Sequence, residues 1–104
     1  MATAKIEQSG DGRITVAGEL GFTTVTELIN RSSHLFVDSC GGLDIDLAGV
    51  TRSDSAGLAL LLEWMRMARA QKRELRFHNL PEQMEAIASA SDLETVLPLA
   101  DDSL

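Results

Sequence analysis

The sequence predicts an α/β domain in which a mixed, mainly parallel sheet carries its helices mostly on one face. Three observations predict it. Segments that alternate apolar and polar residues take turns with segments of helical period, in the order β-β-α-β-α-β-α. The strand-helix-strand units in that order place their strands parallel through right-handed crossovers. The strands also alternate, whereas parallel strands covered on both faces read as continuous apolar runs. Thr15, Asp44, Asp46, Arg76 and His78 fall on the second face, so that face is expected to be open to solvent.

The elements follow in order. Residues 6–9 read as a short strand, and Gly10-Asp11-Gly12 as a tight turn, because glycine accepts a positive φ. Residues 13–20 read as a second strand with Ile14, Val16 and Leu20 on one face, so the first two strands form a hairpin. Residues 22–37 have helical spacing, with Phe22, Val25, Leu28, Ile29, Leu35 and Phe36 as the apolar positions. Thr23 or Thr24 could cap that helix. Asp38-Ser39-Cys40-Gly41-Gly42 is a loop, with glycine where a helix should stop.

Residues 43–50 give the clearest strand signal, because Leu43, Ile45 and Leu47 alternate with Asp44 and Asp46. Residues 51–54 read as a loop and 55–72 as the longest helix. Residues 74–80 form another strand, alternating Leu75 and Phe77 with Arg76 and His78. Asp44 or Asp46 could pair with Arg76 across strands, worth about 0.2–1 kcal/mol. Pro81 suits the first turn of a last helix. That helix carries Met84, Ile87 and Ala88 inward and ends near Asp92. Leu93, Val96, Leu97 and Pro98 are expected to pack as a tail. There is no internal repeat and no linker, so residues 1–104 read as one domain, with 1–4 and 101–104 frayed.

Composition narrows the function classes. Apolar residues make up 44% of 104, enough for one compact core. Asp and Glu outnumber Lys and Arg by 16 to 9, a formal net charge of -7. That balance argues against nucleic acid, which rewards clustered cations, and against docking on anionic lipid. The longest apolar run, residues 58–62, is far short of the ~20 residues a membrane helix needs. The first residues have no apolar stretch of the signal-peptide kind. Cys40 is the single cysteine, so no internal disulfide can form. A cytoplasmic domain is the expectation.

The most informative stretch is LDIDLAGVTRSDSAGLALLLEWMRM, residues 43–67. A strand leads through Asp54-Ser55-Ala56-Gly57-Leu58 into a helix. Asp54 and Ser55 are both good N-cap residues, able to accept from the free N–H groups of a first helical turn. Gly57 lets another backbone or a partner come close. An anion at this helix start would meet a favourable dipole. A cap role alone and a cap role combined with a partner contact are both compatible with these residues.

This stretch resembles the signature of STAS domains, the fold of anti-sigma factor antagonists, and the element order extends the resemblance over nearly the whole chain. Within that superfamily, Asp54-Ser55-Ala56-Gly57-Leu58-Ala59-Leu60-Leu61-Leu62 and the tail at 93–98 are similar to the MlaB family. The resemblance implies a small cytoplasmic subunit of a phospholipid ABC transporter, seated on its ATPase subunit, MlaF, and supporting assembly and activity. Antagonists often carry a second serine where this chain has Ala56.

The long helix carries a second signal. Leu58, Leu61, Leu62 and Met65 share one side, which should lie on the sheet. Leu60, Trp64 and Met67 are spaced i, i+4 and i+7 and are read as a second stripe roughly opposite the first. With one layer of helices, an outward stripe has no sheet to cover it, so it is expected to be a partner surface. Trp is a frequent hot spot and Met adapts to irregular pockets. Lateral cover by the flanking helices is the competing explanation, and Trp64 is the residue most open to it.

Other constellations are weak. His34, His78 and Cys40 lack the local spacing of metal ligands, so no metal or cofactor is expected. No G-x-x-x-x-G-K-[ST] loop is present, so the chain is not expected to hydrolyse ATP, and no constellation supports any other enzyme. Asp44 and Asp46 imitate a carboxylate pair but read better as solvated strand residues. Lys72-Arg73 is too short for a basic patch.

Two functions follow as expectations. One is an accessory subunit that binds an ABC ATPase through Asp54, Ser55, Ala56, Gly57, Leu60, Trp64 and Met67, without inserting in the membrane. The permease and substrate-binding subunits would complete that complex. The other is an anti-sigma factor antagonist switched by phosphorylation of Ser55, where phosphate adds about -1.5 to -2 charge.

Overall fold

The computed structural model describes residues 3–10, 12–37, 41–93 and 95–99. The alternating segments form β1 (Ala4–Gly10), β2 (Arg13–Leu20), β3 (Leu43–Ser53) and β4 (Leu75–His78). They make one sheet in the order β1-β2-β3-β4. β1 is antiparallel to β2, and β2–β3 and β3–β4 are parallel. The helical segments are α1 (Phe22–Val37), α2 (Ser55–Ala70) and α3 (Glu82–Ala90). Ile14, Val16, Leu20, Leu43, Ile45, Leu47, Leu75 and Phe77 line one sheet face and are buried. Arg13, Thr15, Asp44, Asp46, Arg76 and His78 on the other face are exposed or half-buried. One covered face and one open face is the arrangement the alternation predicts.

Several boundaries differ from expectation, each for a physical reason. Thr3 and Ala4 were expected to fray, yet Ala4 pairs with Gly18 and Glu19 N–H donates to Thr3 O at 2.8 Å. The remaining residues of the fraying expectation (1, 2 and 101–104) and Asp38, Ser39 and Cys40 lie outside the described residues. β3 runs on through Thr51 and Arg52 to Ser53, because β2 continues beside it and pairs Glu19 with Arg52 and Leu20 with Ser53. The helix expected to reach residue 72 stops at Ala70. Lys72 takes a left-handed φ of 56°, and Arg73 N–H returns to Ala68 O at 2.9 Å and Lys72 N–H to Arg69 O at 3.0 Å. That is a Schellman ending without its usual glycine, so the sequence carries no stop signal there. α3 ends in the same way, with Asp92 at φ 57° and Leu93 N–H on Ala88 O at 2.8 Å.

α1 starts on Gly21, and Thr24 rather than Thr23 secures it. Thr24 Oγ1 accepts from Gly21 N–H at 3.0 Å and donates to Glu19 O at 2.8 Å. The far end of α1 is held by Arg73. Its guanidinium is buried and donates at 2.9 Å to Leu35 O, a carbonyl that the helix end leaves open, and at 2.9 Å to Gly41 O in the loop that follows. The tail is partly as expected. Leu97 is buried, and Phe77 N–H donates to Pro98 O at 2.9 Å, covering part of the free edge of β4. Val96, expected to pack, is exposed.

On the open face, Asp44 pairs with His78 rather than Arg76, with Nε2 and Oδ1 2.7 Å apart. Asp46 Oδ1 accepts from Asn79 Nδ2 at 3.0 Å and from Ala48 N–H at 2.9 Å. These carboxylates serve local hydrogen bonds across a shallow depression of about 330 Å³. Asp44 and Asp46 are half-buried, and His78 beside Asp44 is a base that the sequence reading did not place near them.

Candidate protein-binding site

The C-terminal ends of β2 and β3 lie side by side, and a helix starts from each. Asp54 N–H donates to Leu20 O at 3.2 Å, tying the two exits together. Ser53 N–H donates to Gln83 Oε1 at 2.8 Å, which brings the start of α3 to the same place. Asp54 is the N-cap of α2: its backbone is extended and its Oδ1 accepts from Ala56 N–H at 2.8 Å. The loop is therefore fixed from three elements while its tip faces solvent.

The tip holds part of the predicted site. Asp54 and Ser55 are exposed and Ala56 is half-buried. Ser55 is the first residue of α2 and not its cap, which corrects one of the two cap assignments. Among the described residues no side-chain hydrogen bond occupies its hydroxyl. Gly57 turns the other way. It is buried, and a Cβ there would overlap Ser53 Oγ and stand 3.0 Å from Leu20 Cβ. The close approach predicted for Gly57 is real, but its neighbours belong to this chain, so Gly57 is removed from the partner contacts.

The outward stripe is also corrected. Trp64 and Leu60 have 0% of their surface exposed, and Met67 is half-buried against the core. Trp64 Nε1–H donates to Ser32 Oγ on α1 at 2.8 Å. Helix geometry gives the reason. Three residues turn a helix by about 300°, so Trp64 sits only about 60° from Leu61 and not opposite it. Leu58, Leu61, Trp64 and Leu60 make one wide buried arc, its flank covered by α1. The exposed line of α2 runs instead through Ser55, Ala59 and Arg66. Arg66 pairs there with half-buried Glu63, and its hydrogen bonds hold the Glu63 carboxyl below the ordinary glutamate range.

One residue at this end escaped sequence reasoning. Phe22, counted among the apolar positions of α1, is 90% exposed. It follows Gly21, whose Cβ position lies 3.2 Å from Asp54 Oδ2, so it stands at the same end as the Ser55 tip. The available signal was its place at the first helical position, two residues ahead of Thr24, where the buried run continued by Leu28 begins.

Among the described residues no group of three or more His, Cys, Asp or Glu could hold a metal ion. The arrangement offers a rigid, solvent-facing loop with a free hydroxyl, suited to contact.

A family model described as "MlaB, STAS domain" matches residues 4–99. No curated protein matches the chain. Among solved structures, an anti-sigma factor antagonist from Mycobacterium paratuberculosis aligns with a TM-score of 0.76 and 22% identity, over 99% of this chain and 88% of that one. The anti-sigma factor antagonist SpoIIAA in its unphosphorylated form aligns at 0.72 and 17% identity, over 96% and 90%. The Bacillus cell fate determinant SpoIIAA in its phosphorylated form aligns at 0.68 and 19% identity, over 96% and 93%. At these identities the likeness to the solved structures is one of fold.

Proposed function

We propose that this chain, which belongs to the MlaB family of STAS domains, is a non-catalytic accessory subunit of an inner-membrane phospholipid ABC transporter. In this reading it serves the Mla system, which maintains outer-membrane lipid asymmetry. It binds the MlaF-like ATPase subunit in a complex with permease and substrate-binding subunits. Binding stabilises the assembled, hydrolysis-competent ATPase, because a ligand of one state draws the population toward that state. The chain acts in the cytoplasm and reaches the membrane through that complex. Among the described residues no helix is long and apolar enough to cross a membrane, which accords with this.

The observation that carries the proposal is the family match over residues 4–99. The tip geometry supports it: Asp54, Ser55 and Ala56 project from a loop that β2, β3 and α3 hold in place. A pre-ordered loop loses little entropy on docking. Because Asp54 carries the cap, Ser55→Ala should leave stability within about 0.5 kcal/mol of wild type. It should weaken ATPase binding modestly, and Ser55→Glu should weaken it more by burying a charge at the contact. Titration of the purified ATPase with each variant tests this. A Ser55→Glu chain that binds like wild type would move the contact away from the tip.

A second reading rests on the exposed, unbonded Ser55 hydroxyl at a helix start. It makes the chain an anti-sigma factor antagonist whose Ser55 accepts a phosphate from a partner kinase. The phosphate would meet the favourable end of the α2 dipole but lie next to the Asp54 carboxylate. Intact-mass analysis of chain purified from its own cells separates the two readings.

A further inference from the structure

Phe22 lies outside the hydrophobic core and the residues packed against it. Its ring is 90% exposed at the first position of α1, while the core side of that helix is filled by Thr24, Leu28, Ser32 and Phe36. The helix start is secured by Thr24 and Gly21, without the ring. Phe is also no better than average as a helix former. Among the described residues the other large exposed apolar ones, Val96 and Leu99, sit on the tail beside β4, two strands away in the sheet. Phe22 is therefore a single aromatic knob, and its surroundings are specific. Gly21 packs on the Asp54 carboxylate, Asp54 follows Ser53, and Ser53 is held by Gln83 beside Glu82 in the first turn of α3. Glu19, Asp54 and Glu82 outnumber Arg52, which pairs in register with Glu19, at this end of a chain whose net charge is -7.

We propose that Phe22 is the anchor of the Ser55 surface, and that its ring inserts in an apolar pocket on the partner protein whose rim is basic. This rests on the ATPase-binding reading and deepens it. Aromatic residues dominate the energy of contacts when they enter a desolvated pocket, and Asp54 and Glu82 match a basic rim around it. A second copy of this chain is a poor occupant, because an identical acidic end would face this one.

The test uses the full chain and the ABC ATPase that co-purifies with it from membranes. Affinities are measured for wild type, Phe22→Ala, Phe22→Leu, Glu82→Gln and Ser55→Glu. Phe22→Ala should weaken binding about 30-fold or more, the hot-spot scale, while the urea midpoint of the free chain stays unchanged. Phe22→Leu should fall between the two. Glu82→Gln should cost several-fold at low salt and less at high salt, where exposed charges are screened. Phe22→Ala binding within threefold of wild type overturns the anchor. If Ser55→Glu still weakens binding in that case, the ATPase reading stands without it. If no ABC ATPase co-purifies, both fail together. A Phe22-dependent homodimer in sedimentation overturns the basic-pocket assignment in favour of a second copy.

Discussion

Replacing Trp64 with alanine removes a side chain that has no exposed surface, belongs to the core and reaches from α2 to Ser32 on α1. Truncating a buried Trp in this way costs about 3–5 kcal/mol, from lost transfer energy and the cavity left behind. The indole N–H also loses its bond to Ser32 Oγ, 2.8 Å long, which contributes about 1 kcal/mol net. Ser32 keeps its own bond to Ile29 O at 3.2 Å, so its hydroxyl retains a partner. Domains of this size are stable by about 5–15 kcal/mol, so Trp64→Ala should leave a marginal fold. Trp64→Phe keeps most of the burial and should cost about 1–3 kcal/mol. Leu61→Ala, from the same buried arc, is the matched control at about 2–5 kcal/mol. Urea unfolding followed by far-UV circular dichroism measures all three, because the fluorophore itself is changed. A Trp64→Ala midpoint within about 0.5 kcal/mol of wild type would refute the single buried arc and restore the outward stripe.

Three further outcomes follow from the same structure. Gly57→Ala should destabilise by about 1–3 kcal/mol in urea melts, because the added methyl meets Ser53 Oγ and Leu20, even though alanine is the better helix former; an increase in stability would contradict the packing. Lys72→Gly should raise stability by about 1 kcal/mol in thermal melts by relieving the left-handed backbone of a non-glycine residue; a loss would mean the lysine side chain matters more than its backbone. Arg66 holds the Glu63 carboxyl below its ordinary range, so the folded value lies below the unfolded one. The small stabilisation from that pair is present above the unfolded value and lost as pH falls through the folded one. An NMR titration of Glu63 should show a midpoint that rises toward the ordinary value in Arg66→Gln, and an unmoved midpoint would contradict the pairing.

The parts legible in the sequence are those fixed by periodicity and by strong local chemistry. Alternation in Leu43, Ile45 and Leu47 against Asp44 and Asp46 gave the one-sided sheet, and the two glycines around residue 11 marked the hairpin. Asp54 was readable as a cap because an oxygen one residue before a helix has a defined job. What was not legible depends on neighbours distant in sequence. The continuation of β3 through polar Thr51 and Arg52 is imposed by β2. The inward turn of Gly57 depends on Ser53, Leu20 and Met84, and the burial of Trp64 depends on Ser32, 32 residues away. Non-glycine Schellman residues at Lys72 and Asp92 leave no signal at all in composition. Phe22 was misassigned because an apolar residue at a helix start looks the same in sequence whether it meets core or solvent.

The proposed grip of this chain on an ABC ATPase is tested most directly by recovering the complex itself. Membranes from cells carrying a tagged copy at its native locus can be solubilised gently, the complex captured, and its members identified by mass spectrometry, with Ser55→Glu as the paired control. Wild type should bring down an ABC ATPase and its permease in near-stoichiometric amounts, and Ser55→Glu less of both. Recovery of an anti-sigma factor or a protein kinase in their place, with Ser55 phosphorylated in the captured chain, would contradict the proposed grip.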